Sequence, residues 1–202
     1  MVRLRSKEKP TLRLFNMYQS KFLLNRQKIF NPLEIHTAIA SYLAHLPPGE
    51  RGGFFYRLEW YRIGISLPML VYSDAMPLMK VMPECQLLET TLMTNLPASS
   101  GSLSFMLFAV PEPTAAIENV IDEKAIAEWF QGQLGATATL TDAQFGPNNC
   151  LYYQKSGAEH QQQTVSIKGT MQVNDLAGLE TLRRQPLGGC SELGCGLLYL
   201  SE

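Results

Sequence analysis

The stretch MYQSKFLLNRQKIFNPLEIHTAI, residues 17–39, sets out the first two elements of the fold. Residues 17–24 predict a β-strand, which a short basic loop follows. Asn31 suits a helix N-cap, Pro32 suits the first helical position, and Glu34 stands three residues after the cap, as in a capping box. We therefore expect a helix from this point, with an apolar stripe on one face formed by Ile35, Ile39, Tyr42 and Leu46.

The first half of the chain continues with further strand patterns. Alternation of side chains and β-rich composition predict strands at residues 54–63, 67–73 and 86–93. A short helical segment is expected at residues 78–82. The resulting order is β-α-β-β-α-β.

The same order repeats after a linker at residues 97–101. Helices are expected to open at Asp122 and after Asn174-Asp175, and strands are expected at residues 103–110, 136–143, 164–173 and 195–200. We predict an α+β protein with tandem ferredoxin-like (RRM-like) βαββαβ domains, residues 17–96 and 102–202. Because this fold serves many unrelated functions, it implies no activity by itself.

The composition suits a globular protein of the cytoplasm. A chain of 202 residues with 46% hydrophobic and 17% charged residues can fill packed cores. It shows neither a membrane-spanning apolar run nor a signal-peptide pattern. Its four cysteines contain no C-x-x-C pair and it has only three histidines, so we expect buried thiols and no metal or cofactor.

Positive charge is concentrated in the first sixteen residues. Five Lys and Arg against one Glu give residues 1–16 a charge of +4, which leaves −1 − 4 = −5 for the rest of the chain. We expect this basic extension to be disordered. Net charge therefore gives no support for nucleic-acid binding, which would need a local basic path.

The chain closes with a glycine-rich loop that runs into an apolar segment, LGGCSELGCGLLYL at residues 187–200. Glycine permits positive φ and lets backbone N–H groups approach an anion, so such a loop can bind phosphate. A tight connection before a closing strand is the more common explanation of the same pattern.

Several residues, in this order and across both halves, resemble the CasE family, the CRISPR repeat-processing endoribonucleases of the type I-E Cascade complex. The resemblance runs from Met17 to the end of the chain. It is carried by Met17-Tyr18-x-Ser20-Lys21, His36, Phe55-x-x-x-Glu59, Leu70-Val71-x-Ser73, Thr164-Val165 to Asn174-Asp175, and Gly194-Cys195-Gly196-Leu197-Leu198. It implies tandem ferredoxin-like domains that bind the stem-loop of the CRISPR repeat RNA and cut at the 3′ base of the stem without a metal. It also implies that the chain stays on the product as a Cascade subunit, beside other subunits such as the one along the crRNA backbone.

His36 is the candidate catalytic residue. Its position alone favours an exposed helix histidine without a catalytic role, and the resemblance reverses this preference. Metal-free RNA cleavage uses the neighbouring 2′-hydroxyl as nucleophile, and a histidine suits either of the two proton transfers. His36 lies near the start of its helix, where the dipole favours a phosphate, and it matches the family's catalytic histidine. We expect it to act as general base, general acid or both.

The chain departs from the family at positions that bear on catalysis and binding. Leu33 stands where a tyrosine is common, Ser191 where a lysine is common, and Pro186 where a glycine is common. Met106, Phe108 and Val110 replace basic or polar residues, and Gln161-Gln162-Gln163 replaces part of a lysine-bearing hairpin. The RNA-binding candidates that remain, from loop placement and the resemblance, are Arg26, Lys28, Lys155, His160, Lys168, Arg183, Arg184, Gly188, Gly189, Ser191 and Gly194.

Three functions stay open at this point. The first is the metal-independent endoribonuclease, and the second is a catalytically weak or inactive subunit that binds the crRNA hairpin. The third is a ferredoxin-like assembly protein that binds only protein, which the low basic content favours slightly. Each basic candidate also has an ordinary surface role as its alternative, and Arg183 and Arg184 suit the negative end of their own helix.

Overall fold

The computed structural model describes residues 17–47, 53–58, 65–96, 101–111, 122–146 and 149–201. In the first half, the elements are β1 (Tyr18–Asn25), α1 (Pro32–Leu43), β2 (Phe54–Leu58), β3 (Ser66–Ser73) and β4 (Cys85–Leu92). The second half contains β5 (Ser102–Ala109), α2 (Glu123–Leu134), β6 (Ala138–Phe145), β7 (Asn149–Lys155), β8 (Ala158–Val173), α3 (Leu176–Leu182), a 3₁₀ turn (Ser191–Leu193) and β9 (Tyr199–Ser201). The expected basic extension at residues 1–16 and the linker residues 97–100 lie outside the described residues.

The first sheet has the strand order β2-β3-β1-β4, and its neighbouring strands are antiparallel. The helix α1 covers one face, where Ile35, Ile39 and Tyr42 pack against strand residues such as Phe22 and Val71. This is the arrangement of a split β-α-β unit, in which β3 lies between the two strands that α1 connects.

The predicted helical segment at residues 78–82 is wrong. Here the Leu78 N–H donates to the Tyr42 carbonyl at 3.0 Å, and the Lys80 ammonium donates to the Ser41 carbonyl at 2.7 Å. The segment is flanked by prolines and is too short to offset the entropy of helix nucleation. Its donors therefore satisfy the last carbonyls of α1 instead of forming a helix of its own.

The second sheet repeats the pattern, in the order β6-β8-β5-β9, with β7 paired to the first part of β8. The hairpin arm of β7 and residues 158–164 of β8 extends beyond this four-stranded sheet, and its β7 strand was not predicted. The final strand was predicted at residues 195–200, but only Tyr199–Ser201 pairs with β5. Residues 195–198 are buried without joining the ladder: Cys195 and Leu197 pack between the two halves, and Leu198 packs in the core of the second half.

The helix start signals were correct. Asn31, Asp122 and Asp175 are the N-caps of the three helices, and each side chain accepts a hydrogen bond from a backbone N–H of the first turn. With the two sheets, these elements confirm the α+β, tandem ferredoxin-like class. All first-sheet strands fall within residues 17–96 and all second-sheet strands within 102–202, the ranges predicted for the two domains.

The two halves are packed against each other by apolar side chains. Both faces of β2 are buried, because Phe55, together with Tyr72 of the neighbouring β3, meets Leu197 and Tyr199 of the second half. Arg57, which is only 6% exposed, lies with its guanidinium carbon 5.4 Å from the ring centroid of Tyr199. The remaining predicted residues of this strand, 59–63, lie outside the described residues.

The glycine-rich loop joins the halves on the other side of β2. The Tyr56 hydroxyl lies 3.0 Å from the Pro32 carbonyl of α1 and 2.9 Å from the Glu192 carbonyl of the 3₁₀ turn. Gly194 has φ 85°, and a Cβ at this position would lie 2.8 Å from the Tyr56 ring. The loop therefore needs a glycine here for both its backbone conformation and its close approach to the ring.

We expect Gly194→Ala to lower the free energy of unfolding by about 1–3 kcal/mol or more, because the new Cβ strains a left-handed backbone and meets an aromatic ring. Gly132→Ala is the matched control, since Gly132 lies inside α2 and a Cβ added there would have nothing within 4 Å, and it should raise stability by up to about 1 kcal/mol. Urea denaturation of both variants measures the difference. Equal stability of Gly194→Ala and the parent would contradict the packing described for the loop.

Candidate catalytic site and nucleic-acid interface

His36 lies in the second turn of α1, on the side that faces β2. Its ring stacks on Phe54, with centroids 4.5 Å apart and planes 27° apart, and lies 6.3 Å from the Tyr56 centroid. The N-cap at Asn31 fixes where the helix begins and so brings this side chain over the strand. The result is a partly exposed imidazole held by flat aromatic contact.

The surroundings of His36 favour its neutral form. Burial lowers the pKa of His36 below its ordinary value of 6.5, and the nearby Glu192 carboxylate opposes this shift by favouring the protonated ring. The Nδ1 atom is buried and has no hydrogen-bond partner among the described residues. That leaves Nε2 as the ring nitrogen available for proton exchange, and at neutral pH the ring is suited to accept a proton.

The glycine loop lies beside this imidazole, but its glycines serve packing. The N–H of Gly189 donates to Val110 and that of Gly194 to Ser191, and a Cβ on Gly188 would clash with the Val110 carbonyl oxygen. These two N–H groups are thus used within the protein. The partly exposed Ser191, at the start of the 3₁₀ turn, remains a candidate for a phosphate contact.

Asn31 fastens the hairpin arm to the start of α1. Its Nδ2 donates to the Gln154 carbonyl at 2.8 Å, and its Oδ1 accepts from the Gln154 N–H at 3.4 Å while also capping the helix through Leu33 N–H. The carboxamide therefore pairs with the free edge of β7 much as another strand would. This contact brings the arm to the end of α1 that carries His36.

Two predicted RNA-binding residues lie on this arm. Lys155 ends β7 and is exposed, and the exposed His160 stacks on Tyr153, its cross-strand partner, with centroids 5.3 Å apart. Arg26 and Lys28 are exposed in the turn between β1 and α1, which ends at the same helix terminus. The structure therefore gathers His36, the arm and this basic turn around the start of α1.

The other basic candidates lie elsewhere. Lys168 is exposed on β8, in register with Met106 of β5. Arg183 is buried: its guanidinium lies 2.7 Å from Glu180 and donates to the Thr94 carbonyl at 2.6 Å. Arg183 thus ties α3 to the segment between the halves, which leaves its charge unavailable to RNA, while its neighbour Arg184 is partly exposed.

Three residues around the imidazole were missed from sequence: Phe54 as the stacking partner, Glu192 as the nearby charge, and Gln154 as the backbone contact of Asn31. Their pairings join residues 18 to 156 positions apart, and no local pattern signals such contacts. At the family's tyrosine position, Leu33 packs with Leu151 and Leu193 in an apolar cluster between the halves. Leu33, which differs from the family's common residue here, therefore adds apolar packing between the two halves.

The described residues contain no group of three or more His, Cys, Asp or Glu side chains placed to hold a metal ion. None of the described helices has the length and apolar character that crossing a membrane requires.

Comparison with known proteins places this chain in a family. The model of the family described as "CRISPR associated protein" matches residues 17–201. The CRISPR system Cascade subunit CasE of Escherichia coli (strain K12) is 32% identical over 82 residues, which is 41% of this chain and 41% of that relative. The match thus spans less than half the length of this curated relative.

Solved structures show the same fold over nearly the whole chain. Cas6e from Escherichia coli K-12 has a TM-score of 0.71 at 24% identity, covering 91% of this chain and 98% of that one. Thermus thermophilus Cse3, bound to an RNA representing a pre-cleavage complex, has a TM-score of 0.78 at 20% identity and covers 93% and 100%. At these identities the likeness concerns the fold.

The chain belongs to the CRISPR associated protein family, since the family model covers all but its first sixteen residues and its last. The resemblance to CasE proteins that the sequence suggested is confirmed.

We expect NMR titration of the free protein to give His36 a pKa below 6.5, and Glu192→Gln to lower this pKa further, because the variant removes the charge that stabilises the protonated ring. Glu34→Gln removes a carboxylate of the same helix that does not contribute to this shift and should leave the pKa of His36 unchanged. An unchanged or higher pKa of His36 in Glu192→Gln would show that this carboxylate does not stabilise the protonated ring.

Proposed function

We propose that this chain is a metal-independent endoribonuclease that binds the stem-loop of a CRISPR repeat and cleaves the precursor RNA at the 3′ base of the stem. The observation that carries the proposal is the placement of His36, a partly exposed imidazole of lowered pKa beside the glycine loop and the hairpin arm. The family match and the RNA-bound relative of the same fold support it.

The chemistry follows from the state of this imidazole. Neutral His36 takes the proton of the 2′-hydroxyl through Nε2 while the 2′-oxygen attacks the adjacent phosphorus. The bond from phosphorus to the 5′-oxygen breaks, and that oxygen receives a proton, either from the imidazolium just formed or from water. The products are a 2′,3′-cyclic phosphate and a 5′-hydroxyl, so the reaction consumes no water.

The proposed binding partners are the repeat RNA hairpin and other Cascade subunits. Arg26, Lys28, Lys155 and His160 surround the start of α1 and are the cationic or titratable candidates for phosphate contacts, with Ser191 beside them. Lys168 and Arg184 are candidates for contacts further from the imidazole. The name of the curated relative, a Cascade subunit, supports assembly with other Cascade subunits. We further propose that the chain keeps the cleaved RNA bound and acts in the cytoplasm.

A second candidate function is a subunit that holds the crRNA hairpin and cleaves it weakly or not at all. Leu33 and Ser191 favour it, because neither can donate a positive charge to the phosphorane. Leu33 is moreover committed to the apolar contact between the halves.

Purified protein mixed with the cognate repeat RNA in EDTA should release a product with a 2′,3′-cyclic phosphate. We expect His36→Ala to slow cleavage by about 10²- to 10⁴-fold, the usual contribution of a general base, without a matching loss of RNA affinity. His45→Ala is the control, because His45 is exposed just beyond the end of α1 and should cut at the parent rate.

Each outcome of this assay separates the candidates. Equal cleavage by His36→Ala and the parent would remove the proposed role of His36. Tight binding of the repeat without cleavage by the parent would favour the subunit that only holds RNA. Absence of binding at low salt would leave the protein-binding function as the remaining explanation.

The dependence of kcat/KM on pH tests the direction of the first proton transfer. If neutral His36 is the base, kcat/KM rises about tenfold per pH unit below the pKa of the free imidazole and levels off above it. Glu192→Gln should move this limb to lower pH. A rate that falls as pH rises through the same range would assign His36 the role of acid instead.

A further inference from the structure

Two aromatic side chains are exposed near the start of α1. Phe30 is 75% exposed and Tyr152 is 71% exposed. Among the large hydrophobic side chains that are exposed in the described part of the chain, these two are the aromatic ones. Exposed rings of this size are uncommon away from a binding partner, so both call for a physical explanation.

The contact between Asn31 and Gln154 brings the two rings to the same region. Phe30 directly precedes Asn31, and Tyr152 lies two residues before Gln154 on the same face of β7. Two exposed rings from distant parts of the sequence thus lie on either side of the hydrogen bonds between Asn31 and Gln154, at the end of α1 that carries His36.

The side chains around Tyr152 are mostly polar amides, and one carboxylate, Glu159, lies on the same face as the cross-strand partner of Gln154. Gln161 is the cross-strand partner of Tyr152, and Gln154 and Gln163 share the same face of the arm. All three glutamines are exposed. A surface that docks a protein usually carries a continuous apolar patch. Isolated aromatic rings among amide groups instead suit nucleobases, because a base can stack its face on a ring and form hydrogen bonds with amides at its edge.

The arm also has little net charge with which to bind phosphates. Between residues 149 and 163, Lys155 and Glu159 cancel, and only His160 can add a positive charge. RNA affinity at the arm must therefore come mainly from contacts that do not involve charge.

We propose that Phe30 and Tyr152 are stacking platforms for unpaired nucleobases of the RNA that flanks the stem, at the rim of the His36 site. This inference rests on the proposed function and names the part of the RNA that the arm binds. The bases are unpaired because those inside an A-form helix are stacked on each other and their faces are closed to side chains. The contacts add affinity that does not depend on salt.

The test compares two RNAs in a binding titration by fluorescence anisotropy. One is the repeat stem-loop with its single-stranded flanks and a 2′-deoxy nucleotide at the cleavage position, which prevents cutting, and the other is the same stem-loop without flanks. We expect Tyr152→Ala and Phe30→Ala each to weaken binding of the flanked RNA about 5- to 100-fold, with the bare stem-loop bound as by the parent. Tyr152→Phe should keep full affinity because it keeps the aromatic ring. Phe30→Leu removes the ring and should therefore bind as weakly as Phe30→Ala.

Salt dependence gives a second, independent readout. The slope of log Kd against log salt should be unchanged in Tyr152→Ala, whereas Lys155→Ala should reduce its magnitude by about one if Lys155 contacts a phosphate. A 2-aminopurine base in the flank should be quenched by the parent and less so by the alanine variants.

The outcomes distinguish this inference from the proposed function. If the alanine variants bind both RNAs as tightly as the parent, the stacking role is overturned and the exposed rings belong to a protein contact. Equal weakening of both RNAs would also overturn it, since the stem would then be the ligand of the rings. If the parent binds neither RNA, it is the proposed function that fails.

Discussion

The hydroxyl group of Tyr56 connects the two segments that surround the candidate site. Tyr56 of β2 reaches the first-turn carbonyl of α1 and the carbonyl of Glu192 in the glycine loop, so one side chain positions the two segments that flank His36. Burial raises the pKa of this phenol, which keeps the O–H group protonated and able to donate. Because the ring also limits how Gly194 can be replaced, the tyrosine and the glycine form one packing unit.

The fold was largely predictable from sequence, and the reasons are local. Strand alternation and the caps Asn31, Asp122 and Asp175 act within a few residues, so their signals survive without tertiary information. The prediction of a helical segment at residues 78–82 failed because donors of this segment form hydrogen bonds with carbonyls of α1, which lie more than thirty positions away in the sequence. The strand β7 was missed because its exposed aromatic and amide residues resemble a loop when the partner strand is not known.

The candidate site was predictable only in part, for the same physical reason. His36 could be selected because its residue type suits proton transfer and because the resemblance to the CasE family marks its position, whereas its place on the helix alone would not have been enough. Glu192, Phe54 and Gln154 acquire their roles from packing between the halves, and nothing in their neighbouring sequence marks it. Conversely, Arg183 looked available as a cation, but a carboxylate one helical turn away and a carbonyl from the connecting segment occupy its guanidinium.

The electrostatic balance around His36 limits what the site can do. Partial burial favours the neutral imidazole, which suits the first proton transfer but makes a pre-formed imidazolium scarce at neutral pH. Glu192 moderates this preference without supplying a cation, and the positions where the family carries a tyrosine and a lysine are held by Leu33 and Ser191. In the reaction proposed above, the charge that develops on the phosphorane is met by backbone dipoles, the helix terminus and cations of the surrounding turn. For the proposed activity, such a site gains more from accurate placement of the RNA than from strong acid–base groups, which is consistent with an arm fastened by hydrogen bonds to the start of α1.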